Sequence, residues 1–424
     1  MPQVNSSRSA FFLVTVGNIA VAGAQWYIIW LFAQQSGPTA VGHYSTLIAM
    51  MTPVFIASQL GLRNLFITLQ RTVRWRIYLA CRSSTVGLSV LIIVGLIVLA
   101  PDQIHSSLAW PLLIIKASES IGDLFYARLQ KTERLFAFGL ILIIVALASA
   151  LTVTTFVLST GSPVTALWAA AMVSVGGTVV TMWIASARPP ETAAGMESRT
   201  TVRTEVKALL TAGIPMSMMQ AVYSLLSYVP LAVVAWFGSP EDVGRYTSAA
   251  YLVVFANLVG ASIETVVLPR FRAIYESDGA LFLRRKVKRL CAIGLLALVP
   301  FVVLALFIGP WLLSAVYGAG FELTRISVLY LSLAAICTLP TYLASANLLV
   351  LNRYWATFYV GATAIIAVLA GGGAAGTAGM PPVEAGSLAV FIGSTVRLVG
   401  ELFCSGLRRR QAHEASTKGA HLGS

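Results

Sequence analysis

Two clusters, five ionisable side chains in all, stand at helical spacing inside apolar stretches of this chain, where hydrocarbon would be expected on every side. Lys116, Glu119 and Asp123 fall at i, i+3 and i+7, with Ser120 beside them, so they share one face of a helix. Arg397 and Glu401 fall at i and i+4 in another stretch. Charge in hydrocarbon is costly, and such residues face a partner or a wet cavity. Lys116 and Arg397 are the two cations near the middle of their stretches. Cations held at that depth could grip a phosphate, Arg by a bidentate fork and Lys as a point charge. Each also has a carboxylate one turn away, so two self-neutralised pairs that serve only helix packing are an equally open reading. A structural pair is easily replaced by apolar residues, which favours the cavity. Spacing does not say whether Lys116 and Arg397 face each other.

Two weaker positions accompany them. Glu264 lies six residues before Arg270, about 9 Å along a helix, and is expected to pair with a loop arginine or to serve as a proton-coupling site. Asn257 is expected to hydrogen-bond between helices. Arg63, after Gly61, is expected to snorkel at the membrane surface, and Arg245 and Arg325 to be solvated loop charges. Trp26, Tyr27, Trp30, Trp75, Tyr78, Trp311 and Tyr317 read as interfacial anchors. Tyr223 and Tyr228 read as core packing or, better than the span-end aromatics, as cavity liners.

The elements that must carry these residues are visible in the composition. Hydrophobic residues make up 57% of the 424 and charged residues only 11%, with a mean hydropathy of +0.82. A bilayer core of about 30 Å takes roughly 20 apolar residues per helix. Twelve such stretches are expected, at 11–33, 43–69, 78–100, 107–127, 135–158, 163–185, 206–236, 246–269, 290–309, 323–345, 355–373 and 383–405. Short alternating segments, which a membrane barrel needs, are missing. The class is all-α and polytopic, and prolines 53, 111, 215, 230, 300 and 340 fall inside spans as potential hinges.

Twenty-five of the 29 Lys and Arg residues fall in every second gap between these stretches. That alternation is the positive-inside pattern. It explains the net charge of +13 without nucleic acid, and it puts both termini in the cytoplasm. The cationic gaps hold Arg63, Arg71, Arg74, Arg76 and Arg82; Arg128, Lys131 and Arg134; Arg188 to Lys207; Arg270 to Arg289; Arg353; and Arg408 to Arg410. The first span is too long for a cleaved signal and reads as a retained anchor.

Cys81, Cys291, Cys337 and Cys404 show no paired spacing, and His43, His105, His413 and His421 are dispersed, so neither metal nor cofactor is expected. No G-x-x-x-x-G-K-[ST] loop and no nucleophile–base arrangement stands out, and an enzyme is not expected. The run from Gly371 to Gly379 reads as a flexible loop ending the eleventh span, or else as a close-packing face.

Residues 186–205, rich in Pro, Thr and mixed charge, read as a cytoplasmic linker. They separate an N-terminal six-helix lobe (1–185) from a C-terminal one with a cytoplasmic tail (206–424). A repeat supports the division. Pro38-x-x-Val41-Gly42-x-Tyr44-Ser45 recurs 202 residues later as Pro240-x-x-Val243-Gly244-x-Tyr246-Thr247. Six crossings are even, so the repeats are parallel, about an axis along the membrane normal.

After the second copy the chain continues from Ser248 to a Pro269-Arg270-Phe271 closure, and Val316 to Phe321 reads V-Y-G-A-G-F. This pattern resembles the polysaccharide-export, O-antigen type flippases of the multidrug/oligosaccharidyl-lipid/polysaccharide (MOP) superfamily. The resemblance implies a two-lobed, MATE-like bundle in a bacterial inner membrane. It implies that lipid-linked oligosaccharide crosses from the cytoplasmic to the outer leaflet by alternating access, for surface polysaccharide. Membrane lipid and polysaccharide assembly proteins are the implied partners. On that reading the cavity residues are Lys116, Glu119, Asp123, Arg397 and Glu401. Two other readings stay open: a MATE-like antiporter of small molecules or cations, and a scaffold of envelope assembly that transports nothing.

Overall fold

The computed structural model describes residues 2–68, 73–99, 106–187, 201–318 and 320–406, with the side chains of 2–11, 68, 106 and 354 left aside. Arg71, most of the linker (188–200), Arg408 to Arg410 and three of the histidines (105, 413 and 421) lie outside them. The described residues are helical, in the order α1 (Pro2–Ser58), α2 (Leu62–Thr68), α3 (Trp75–Leu99), α4 (Ser106–Lys131), α5 (Leu135–Thr160) and α6 (Pro163–Ser186). After the linker come α7 (Val202–Phe237), α8 (Pro240–Tyr317), α9 (Arg325–Val350), α10 (Tyr354–Thr377) and α11 (Pro382–Gly406).

Backbone polar groups have no water to bond in hydrocarbon, so a helix, which satisfies them internally, is the unit that crosses. Nine of the described helices are long and apolar enough to do so. Two of them are double. Gly37 (φ 74°) breaks α1 and Gly279 (φ 79°) breaks α8, each a conformation that side chains other than glycine's resist. α4 has the length, but its charges set it apart from those nine. Two broken helices and α4 bring the count to the twelve expected crossings.

The gaps are shorter than the hydropathy suggested. Residues 270–289, expected as a loop, are helical up to and beyond Gly279, because a basic, polar helix can extend past the membrane. The Gly371–Gly379 run is helix through Thr377 rather than loop. Its glycines pack against Ile392, Val233 and Phe237, so the close-packing alternative is the one observed. At the start of α8, Ser239 and Asp242 cap the helix reciprocally with Pro240 in the first turn.

Two main cores result. One gathers Phe32, Met51, Phe55, Ile93, Leu112, Val153 and Leu167 from α1 and α3 to α6. The other gathers Val234, Val243, Tyr246, Val328, Leu331 and Ala334 from α7 to α9. Tyr317 and Phe321, from the second half of the chain, are buried in the first core. Trp183, Trp236, Leu296 and Phe307 stay exposed on the outside of the bundle, where lipid is their natural solvent.

The halves touch at both ends. At the end away from the cation-rich gaps, the two copies of the repeat cross. A Cβ on Gly42 would strike the Pro240 carbonyl, and one on Gly244 would strike the Pro38 carbonyl. The repeat is therefore a reciprocal contact of the two halves, each glycine admitting the other copy's backbone. Trp30 Nε1 and Gln34 Nε2 donate to the Val316 carbonyl (2.7 and 2.8 Å), and Trp26 Nε1 donates to the Tyr317 hydroxyl (2.9 Å). These tryptophans join the halves rather than merely marking an interface. Arg245 is likewise engaged, with Glu241 and the Gly320 carbonyl. At the cation-rich end, Ser217 donates to the Ala57 carbonyl (2.6 Å), and buried Glu205 accepts from the Arg74 backbone and guanidinium (3.1 Å each).

Candidate functional site

α4 and α11 position the two central cations. Each cation stands within three residues of its helix's midpoint, so each lies about 4–5 Å from mid-depth, Lys116 on one side and Arg397 on the other. Lys116 Nζ donates to Glu119 Oε2 at 2.9 Å. Tyr44, from the repeat motif, and Tyr228 of α7 lie within electrostatic reach of it. Glu119 is 46% exposed. A carboxylate is costly in hydrocarbon, so Glu119 is the exposed member of this pair and Lys116 the enclosed one.

Arg397 is held differently. Its Nε donates to Glu401 Oε1 at 3.0 Å, and its guanidinium lies over the rings of Tyr223 (4.4 Å) and Tyr342 (5.5 Å). An arginine stacked this way is attracted by the ring faces and fixed in orientation. Tyr223 donates to Glu401 Oε1 at 3.3 Å, and Tyr342 donates to Asn257 Oδ1 at 3.1 Å. Asn257 thus joins α8 to α9. Glu264 turns toward Ser345, Glu401 and Arg397 rather than toward a loop arginine. Glu401 is fully buried, and its Oε2 has no partner.

Asp123 does not join Lys116 and Glu119. Its Oδ1 accepts from Arg63 Nη1 at 2.8 Å and its Oδ2 from Arg82 Nη2 at 3.2 Å. Arg63 is therefore an ion-pair residue, not a snorkelling one, and Arg82 is fully buried rather than a loop charge. Neither was expected from sequence to form a buried ion pair, since a cation near a span end is indistinguishable there from a topological one. The available signal was Asp123, a carboxylate two turns from Lys116 at the end where those cations gather.

Among the described residues no group of His, Cys, Asp and Glu could hold a metal. The arrangement offers two mid-depth cations with aromatic neighbours, one from each half, with a half-exposed carboxylate beside Lys116 and a buried one beside Arg397.

Twelve crossings in two six-helix lobes define the fold of MOP-superfamily transporters, and the protein is a multi-pass membrane protein. The comparisons are specific about the likeness. Superposition on the lipid II flippase MurJ in its inward closed conformation gives a TM-score of 0.68, with 16% identity over 93% of this chain and 88% of that one. An inward-facing multidrug-resistance MATE transporter of the MOP superfamily gives 0.65, with 12% identity over 90% and 93%. The outward-facing conformation of such a transporter gives 0.55, at 12% identity over 94% and 95%. In sequence, the chain is 21% identical over 360 residues to the capsular polysaccharide biosynthesis protein CapF of Staphylococcus aureus, spanning 85% of this chain and 89% of that protein. No family model matches.

Proposed function

We propose that this protein is a flippase. It carries lipid-linked oligosaccharide, through its phosphate or pyrophosphate, from the cytoplasmic to the outer leaflet of a bacterial inner membrane for surface polysaccharide. Residues 1–185 and 206–424 act as the two lobes, joined by a cytoplasmic linker at 186–205, and both termini stay cytoplasmic. The observation that carries the reading is the placement of one mid-depth cation in each lobe, Lys116 and Arg397. A sequence relative in capsular polysaccharide biosynthesis and a fold shared with a lipid II flippase support the sugar–lipid cargo.

The mechanism follows from the charges. Lys116 has three donors and commits one to Glu119, while Arg397 commits Nε to Glu401. The rest of each head meets the phosphoryl oxygens, and Tyr44, Tyr223, Tyr228 and Tyr342 stack or hydrogen-bond the sugars. Crossed repeats close the outer end, and the Ser217–Ala57 and Glu205–Arg74 contacts join the halves at the cation-rich end. Rocking of the lobes would open the outer end and release the anion. An inside-negative potential favours its outward passage.

Depleting the protein and measuring the lipid-linked oligosaccharide pool tests this. A cytoplasmic-side intermediate that accumulates while surface polymer disappears is expected. An unchanged pool with intact surface would overturn it and turn attention to a cation antiporter.

A further inference from the structure

A cavity of about 400 Å³ lies near the cation-rich end of the bundle, apart from Lys116 and Arg397. Arg63 on α2, Arg82 on α3 and Asp123 on α4 line it, with the amides of Gln59, Gln130 and Gln220. Gln220 belongs to α7, so both halves of the chain contribute. The volume falls within the range of about 300–1,000 Å³ usual for small-molecule sites.

We propose that this cavity is a second binding site, one for a phosphate-class oxyanion. The charge does not balance as it stands. Two guanidiniums share one carboxylate, Arg63 at 2.8 Å and Arg82 at 3.2 Å. Arg82 is fully buried, and its Nε and Nη1 have no partner. A guanidinium carries five N–H donors in a planar fork, and a buried charge needs nearly all of them satisfied. The deficit is one negative charge with several acceptor oxygens, which a phosphoryl group supplies bidentately. Gln220 Oε1 is also buried without a partner, and its amide can turn to donate. Arg63, one-third exposed, gives the anion a way in.

Its position has a consequence. Asp123 is seven residues from Lys116 on the same face of α4, about 10 Å along the helix. An anion arriving from the cation-rich end would meet Arg63 and Arg82 before Lys116. The site stands on its own geometry, whatever the protein transports.

The test is binding of inorganic pyrophosphate to the detergent-solubilised full-length protein, by calorimetry, with thermal unfolding as a check on folding. Wild type is expected to bind, and R63Q to bind at least tenfold more weakly while keeping its unliganded unfolding midpoint. R272Q, which removes an exposed cation of the same end paired with Glu276, is expected to leave that binding unchanged. Q220A, which spares all charges, is expected to weaken it two- to fivefold. Displacement of pyrophosphate by a polyprenyl-pyrophosphate sugar but not by phosphatidylglycerol would identify the occupant as lipid-linked cargo. Displacement by phosphatidylglycerol as well would identify it as any phosphate headgroup. Absence of binding in wild type, or a loss in R272Q as large as that in R63Q, would overturn the proposal.

Discussion

At the scale of single residues, the account rests on Lys116 and Arg397, and they are not equivalent. Lys116 acts as a point charge beside Glu119, whereas Arg397 is fixed between two tyrosine rings and Glu401. Lys116→Ala and Arg397→Ala should each lower polysaccharide export at least tenfold at normal protein level, measured as surface polymer per cell. Arg397→Lys should recover only part of it, since a lysine keeps the charge but loses the planar fork and the stacking. Full rescue by lysine would show that charge alone matters. Both residues were legible in the sequence because a charge within twenty apolar neighbours has no cheap explanation. Arg63 and Arg82 were not, because a cation near a span end is what topology alone would put there. Only the fold brings Asp123 between them.

The elements explain why a short motif recurs after 202 residues. Each copy supplies a glycine that lets the other copy's proline carbonyl come into contact. Gly42→Val or Gly244→Val should spread that contact, at a cost of about 1–3 kcal/mol for overpacking. In a background without the four native cysteines, a cysteine at Val316 should then react several-fold faster with an impermeant thiol reagent outside; unchanged reactivity would contradict the closed-end assignment. At the other end, Glu205→Ala removes both bonds from Arg74. With Arg74 half exposed, the loss should be about 1 kcal/mol and appear as a lower unfolding midpoint in detergent. Hydropathy marked where the helices are, since burial in lipid dictates apolar runs. It missed how far they extend, because the basic turns beyond Pro269 are helical without being apolar, and it left the glycine run after Gly371 open between loop and packed helix.

For the whole molecule, two lobes are closed against each other at the outer end, with one mid-depth cation each. Twelve crossings and the parallel repeat could be read from the chain, because they follow from charge alternation and parity. The relation between the lobes could not, since no local pattern records which glycine meets which carbonyl across 202 residues. The central claim is that anionic lipid-linked sugar crosses this protein by way of both cations. The most direct measurement is translocation in proteoliposomes holding the purified chain and a polyprenyl-pyrophosphate oligosaccharide, read as the fraction of sugar accessible from outside over time. Wild type should shift that fraction, and the Lys116→Ala/Arg397→Ala protein should do so at one-tenth the rate or less. Equal rates in the two proteins, or no translocation by wild type, would contradict the account.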